Sequence, residues 1–300
     1  MNAPEFPEDS AQHSRTVTMG RSSEPLTGPD VTIIRPGNRI DRLGIPQVWE
    51  SKYLLKYFAL RAIRGRYRPT AMGYGWIVFR PLLLCLVYVG VFGYLVGVDT
   101  DPVPFPLFVF VGISLYLFFS GTVSDTASSL ANNAGIMSKV YYPRLIVPLT
   151  SLLVNVLDLA ASFLIVLGLM VVYRVIPDVQ VLLFPVFLGA FALLSFAIGL
   201  ILAAHSIERR DVMLMLPVVM RVMVYAMPCV YPASMVPEHL RNVYFVNPLA
   251  STIQAIRWSL FGDPLPPPWS LGLAGCLTVV GLVYGLVAFN RAERNMVDSL

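Results

Sequence analysis

Residues 181–203 read VLLFPVFLGAFALLSFAIGLILA, twenty-three positions without one charged side chain. A bilayer core asks for about 20 mostly apolar residues per helix, and this run meets that demand by itself. Inside hydrocarbon a segment must satisfy its own backbone hydrogen bonds, so the run reads as a helix. No ten-residue alternating pattern suggests a membrane barrel. Working outward, five more stretches have the same character, approximately 77–97, 105–126, 146–173, 213–232 and 270–290. The expected fold class is an all-α integral membrane protein with six transmembrane helices. To these the sequence adds an N-terminal amphipathic interface helix and a re-entrant helix pair between spans five and six.

The composition agrees. Of 300 residues, 56% are hydrophobic and 13% charged, with formal net charge +4 and mean hydropathy +0.67. A globular domain in water carries roughly 25% charged residues, so too few charges remain here to cover a soluble body. The same balance excludes a disordered chain. Cys85, Cys229 and Cys276 are an odd number, all in apolar runs, and read as inert buried thiols. His13, His205 and His239 are too scattered for a metal site, and none is expected.

Residues 1–44 are polar, rich in Pro, Gly and Ser, and read as a flexible cytoplasmic tail. Residues 45–68 form the next unit, an interface helix and membrane-entry segment. Residues 47–64 lack Pro and Gly, and Leu54, Leu55, Phe58 and Ala62 share one helical stripe. Trp49, Tyr53, Tyr57, Lys52 and Lys56 occupy the other side, a mixture suited to a headgroup boundary. The six-span domain follows over 69–294, and 295–300 is a cytoplasmic C-terminus.

Lys and Arg set the orientation. With six spans, seventeen of the 22 fall on the side of the termini, and only Arg174, Arg241 and Arg257 on the other; Arg80 and Arg221 lie within spans. Positive residues stay in the cytoplasm, so both termini are expected there. The long external loop, about 233–268, contains PLASTIQAIRWSLF (248–261), apolar enough to enter a membrane and too short to cross it. Pro237, Pro248 and the run Pro264, Pro266, Pro267, Pro268 bracket it with helix breaks. A re-entrant pair is the economical reading; a surface loop with one amphipathic helix is the alternative.

The chain has no phosphate-loop motif, no assembled nucleophile–base set at one depth, and no Asp-rich pair for Mg²⁺ and pyrophosphate. This favours passage over chemistry: no catalytic residue is expected. Four intramembrane charges stand out, because such charges are costly. Asp158 lies ~18 Å and Arg221 ~12 Å from the cytoplasmic edge by helical rise, while Arg80 and Asp125 are shallow. Depth is compatible with pairing Asp158 with Arg221 and Arg80 with Asp125; a proton or ion relay through Asp158 is the rival. Among the span aromatics, Tyr88, Phe92, Tyr116, Phe119 and Tyr225 are candidates for a conduit that stacks on sugar rings.

Three stretches together carry a family resemblance. LRAIRGRYRPTAMGYGWIVFRPLLL (60–84) places Arg64, Arg66, Tyr67, Gly73, Trp76, Pro81 and Leu82 as in the opening segment of type-2 ABC exporter permeases, the membrane subunits of O-antigen, capsule and teichoic acid exporters. IERRDVMLMLPVVMRVMVYAMPCVYPASMVPEHLRNVYFVNPLASTIQAIRWSLFG (207–262) resembles that family's Arg-Asp loop, fifth span, Tyr-Pro bend and gate helix. SKVYYPRLIVP (138–148) is similar to its cytoplasmic coupling helix. The chain departs from the pattern at Ala62, where many relatives carry an acidic residue, and at Pro69 beside Thr70.

The resemblance implies a homodimer with two separate nucleotide-binding ATPase subunits that hold ATP and Mg, and no cofactor on this chain. It implies ATPase coupling through Ser138, Lys139, Tyr141, Tyr142, Pro143 and Arg144. It implies an external gate containing Tyr231, Pro232, Pro237, Asn247, Pro248 and Trp258. The resemblance implies passage of a lipid-linked polysaccharide to the outer side of the bacterial plasma (inner) membrane, with membrane lipid and the glycan as partners and no nucleic acid. Arg61, Arg64, Arg66 and Arg68 cluster at the cytoplasmic entrance, where an anionic lipid head group would be received. A drug or lipid exporter of the same family, a stand-alone secondary transporter using Asp158, and a membrane enzyme acting on polyprenyl lipids are the rival readings.

Overall fold

The computed structural model describes residues 51–137, 143–209 and 211–298, and every regular element among them is helical. The tail 1–44 and the expected start of the interface segment lie outside the described residues. Helix α1 spans Lys52–Tyr67. Its apolar stripe sets Leu54, Leu55 and Phe58 against a cluster containing Leu130, Ile146, Leu200 and Phe289, while Tyr53 and Tyr57 remain exposed. Gly73, at φ 53°, turns the chain into α2, Gly75–Tyr88. That helix continues as a π-helical segment, Val89–Leu95, at a place where Gly90 and Gly93 weaken the α-helical preference. The composition of the run gave no sign of this widened turn.

Helix α3, Phe105–Met137, runs well past the expected end at 126. No Pro or Gly interrupts residues 122–134, so nothing stops the helix when the apolar run gives way to Ser, Thr and Asn. Helix α4 spans Ile146–Tyr173, the limits read from the sequence, and ends where Arg174 turns left-handed at φ 58°. A 3₁₀ turn, Val179–Leu183, is capped by Asp178 and leads into α5, Phe184–Glu208. Helices α6 (Asp211–Ala226), α7 (Glu238–Val246), α8 (Pro248–Phe261) and α9 (Pro268–Asp298) complete the chain.

Among the described residues, five segments are long and apolar enough to cross a membrane: Gly75–Leu95, Phe105–Asn132, Ile146–Tyr173, Val179–Ser206 and Pro268–Ala292. The fifth expected span, 213–232, is α6, whose 16 residues reach about 24 Å against a core of about 30 Å. Pro228 and Pro232 prevent the helix from running on, and the backbone from Met227 to Pro232 is irregular. On α6, Leu216, Met220 and Val224 face the core, and Leu214, Val218, Val222 and Tyr225 face outward.

Helix α3 forms the centre. Leu107, Phe108, Val109, Phe110, Val111, Ile113 and Leu115 are all buried, so it is enclosed on every side near its N-terminal end. Helices α5 and α9 pack along each other, and α4 and α5 flank α3. The short helix α8 is equally enclosed: 11 of its 14 residues are buried. Its buried hydroxyls and amide are satisfied locally. Ser251 donates to Phe245 O, Thr252 to Pro248 O, Gln254 to Pro264 O and Ser259 to Ile256 O. A helix on the surface of a loop would not be so enclosed. Among the cysteines, Cys85 and Cys229 are buried as expected, but Cys276 is exposed on the outward face of α9.

Candidate functional site

The polar residues of the central helices fall on facing stripes. On α4, Ser151, Asn155, Asp158 and Ser162 follow one another at four, three and four residues; on α3, Ser114, Gly121 and Asp125 do likewise with Phe118 between. Between these stripes, the end of α1 and the start of α2 lies a cavity of about 520 Å³. Its lining includes Arg66, Tyr67, Trp76, Arg80, Asp125, Asn155 and Asp158. Gly121 is required there, since a Cβ would come within 2.5 Å of Asn155 Oδ1.

Arg66 joins the two stripes. Its Nη2 donates to Asp125 Oδ2 in a charge-assisted bond, and its Nη1 donates to Asp158 Oδ2 at 3.1 Å and to Asn155 Oδ1 at 3.4 Å. The Tyr67 hydroxyl donates to the same Asp158 oxygen at 2.6 Å. Asn155 Nδ2 then donates to Asp125 Oδ2 at 2.9 Å and to Ser151 O at 2.8 Å, fixing the carboxylate from the other side. Burial alone would lower the pKa of Arg66, but Asp125 and Asp158 more than offset it, and the guanidinium is held above its ordinary value. Burial, then the hydrogen bond to Asp158 and its charge, push the Tyr67 phenol up to about 12. Tyr67 is therefore a permanent donor at neutral pH. The arrangement ties the C-terminal end of α1 to both α3 and α4 through one guanidinium.

This corrects two expectations. The ion pairs join Arg66 to Asp125 and Asp158, not Arg80 to Asp125 or Arg221 to Asp158. Arg80 lines the cavity without entering either pair, and Arg221 is exposed on α6. Depth alone cannot reveal a partner that enters from a neighbouring interface helix. The four entrance arginines are also not equivalent. All four are exposed, but Arg66 alone turns its guanidinium to the two carboxylates; Arg61 lies beside a smaller recess with Val147 and Thr150.

Of the coupling residues, Ser138, Lys139, Tyr141 and Tyr142 lie outside the described residues. Pro143 and Arg144 are half-buried in the turn that starts α4, where their carbonyls accept from Ile146 and Val147. The aromatics divide. Tyr88 stacks on Phe92 at 5.9 Å, Tyr116 donates to Met220 O at 2.9 Å, and Tyr225 is 59% exposed. Phe119 is buried against Phe191, and its neighbour Phe118 lines the cavity instead.

At the other end of the bundle, the Tyr231 hydroxyl donates to Tyr225 O at 3.1 Å. Pro232 and Pro237 flank a short 3₁₀ turn, Ala233–Met235. Asn247 forms the corner between α7 and α8: its Oδ1 accepts from Leu249 N at 3.0 Å and its Nδ2 donates to Ala226 O at 3.1 Å. Pro248 opens α8, and Trp258 packs edge-on against Phe187 of α5 at 6.1 Å. The sequence reading missed Arg257, counted there among external surface charges. It is fully buried. The four-residue spacing from Ile253, inside an otherwise apolar and small-residue run, was the available signal.

A bundle of long apolar helices, an amphipathic helix clamped to it by ions, and a short helix α8 buried in the bundle beside the largely exposed α7 form a multi-pass membrane protein. Residues 53–261 match the ABC-2 type transporter family, and the chain belongs to it. It is similar to the O-antigen export system permease protein RfbA of Myxococcus xanthus, 26% identical over 259 residues, covering 85% of this chain and 98% of that protein. RfbA of Klebsiella pneumoniae is 24% identical, covering 82% of this chain and 95% of that protein. The polysialic acid transport protein KpsM of Escherichia coli is 22% identical, covering 83% and 96%.

Proposed function

We propose that this chain is the permease subunit of an ATP-driven exporter that moves a lipid-linked polysaccharide from the cytoplasm to the outer side of the plasma membrane. The observation that carries this reading is the near end-to-end match to permeases named for O-antigen export and to a polysialic acid transporter. Two copies of the chain form the path, and two separate ATPase subunits, which hold ATP and Mg, bind on the cytoplasmic side. In this reading α6 is the fifth of six spans, and both termini are cytoplasmic. Helices α7 and α8 form a re-entrant outer gate.

The segment 138–144 docks on the ATPase and passes its movement to α4. Arg66 supports that route: it links α1 to α3 and α4, so the interface helix and two long helices move together. The engagement of Asp158 by Arg66 and Tyr67 counts against its use as a free proton relay. Arg61, Arg64 and Arg68 are exposed and remain available to an anionic head group. Deleting the chain in its host tests the reading. Surface glycan should disappear while lipid-linked glycan accumulates inside, and the wild-type chain should restore export. Unchanged surface glycan would overturn it.

A further inference from the structure

Arg257 is the largest fully buried side chain of the described residues. Its guanidinium carbon lies 3.5 Å from the centroid of the Phe108 ring near the start of α3. Its Nη2 donates to Cys229 O at 3.0 Å, in the irregular stretch after α6, and more weakly to Phe108 O at 3.4 Å. Gly112, one turn along α3 from Phe108, makes the room: a Cβ there would lie 2.8 Å from Nη2 and collide with Cys229 O. Three elements thus converge on one side chain.

The site is not arranged for stability alone. No carboxylate among the described residues forms an ion pair with Arg257, and Nε and Nη1 have no hydrogen-bond partner. A buried charge with unmade hydrogen bonds is unfavourable, and an apolar side chain of similar volume is often neutral or better in such a place. What a long apolar side chain cannot do is grip the carbonyl of a bend that has no regular partner of its own. We propose that Arg257 is a positioning residue that pins helix α8 to α3 and to the Cys229 bend, and so holds the outer short-helix pair shut. This rests on the gate reading of α7 and α8 given above.

The native thiols report on it. Cys229 is fully buried at the pin, and Cys85 is buried on α2, where its thiol meets Pro106 O in the first turn of α3. The complex with its ATPase, in detergent and in vesicles loaded with a small fluorescent solute, is treated with N-ethylmaleimide and each cysteine followed by mass spectrometry. In R257M and in F108L, alkylation of Cys229 should rise about tenfold or more. In R257M a long apolar side chain fills the same space, so Cys85 should stay at the wild-type rate and the melting midpoint should hold. F108L loses a buried ring and should melt somewhat lower. R257K should fall between, since an ammonium can donate to Cys229 O but lacks the planar fork. The vesicles should leak without ATP in proportion to Cys229 exposure. Unchanged Cys229 alkylation in both R257M and F108L overturns the pin. Equal rises at Cys229 and Cys85 also overturn it, because the effect would then be global loosening. A rise confined to Cys229 without leak supports the pin and overturns the gate reading on which its consequence rests.

Discussion

Two arginines organise opposite parts of this molecule, and they are held in contrary ways. Arg66 is about one-third exposed at its side chain and meets two carboxylates and an amide, with Tyr67 bonded to one of the same carboxylates. Arg257 is fully buried and meets two carbonyls and a ring, with two nitrogens unpartnered. The first arrangement is strong in charge and open to solvent, so it can be released and remade. The second is weak in charge and closed, so it holds position and tolerates little intrusion. The contrast suits a moving interface helix at one end and a seated short-helix pair at the other.

The largest effect is expected from reversing the first arginine. R66E places a third negative charge beside Asp125 and Asp158. Discounted for the one-third exposure of these side chains, loss of the tether should cost about 1–3 kcal/mol. It should free α1, read as faster proteolysis between Arg66 and Gly75 and as a fall in glycan export at normal protein level. Proteolysis no faster than wild type would break the comparison at its first half.

Next comes the intrusion test at the other arginine. G112A should cost about 1–3 kcal/mol by overpacking, since both the Cys229 backbone and the guanidinium must shift. A melting midpoint equal to wild type would show that the closed site is looser than described. Salt sharpens the contrast further. Raising ionic strength from about 0.1 to 1 M shortens the Debye length from about 10 to 3 Å. Proteolysis at the α1–α2 junction should quicken, while Cys229 alkylation should not change.

How much of this was legible beforehand depends on where the physics is local. The limits of α4 could be read because an apolar run, with Asp158 as its single charge, lies between Arg144 and Arg174, where the chain turns. The length of α6 could not be read from hydropathy, which carries on through Pro228 to Tyr231 although the helix does not. The polar stripes of α3 and α4 were present in the spacing of Asp125, Asn155 and Asp158. Their partner was not, because Arg66 arrives from a separate helix and looks like three exposed neighbours. Arg257 was misplaced for a related reason: counting charges by loop assigns every arginine of a short helix to the surface. A helix that folds back into the bundle breaks that rule.

Smaller effects refine the first half. Y67F removes a donor to Asp158 and should cost about 1 kcal/mol, between a neutral and a fully charge-assisted bond. The phenol is raised from 10.0 to about 12 in the folded chain, so its protonated form is the one the fold favours. Its contribution is therefore complete below pH 10 and fades as pH rises towards about 12. A wild-type-minus-Y67F stability difference that is flat to pH 10 and shrinks above it is the expected result; a difference that shrinks between pH 6 and 9 would contradict it. The least effect belongs to C276A, within about 0.5 kcal/mol, because Cys276 is exposed on α9. Its thiol should be the first of the three cysteines to react with an apolar maleimide.

The central claim is that this chain is driven by a partner ATPase. Purification of the tagged protein from its host in mild detergent, with co-purifying chains identified and ATP hydrolysis assayed, tests it most directly. The account predicts a stoichiometric ATPase subunit that is lost when Tyr141 and Tyr142 are changed to Ala. If no ATPase appears under several gentle conditions, and transport instead follows an ion gradient and needs Asp158, the account is contradicted.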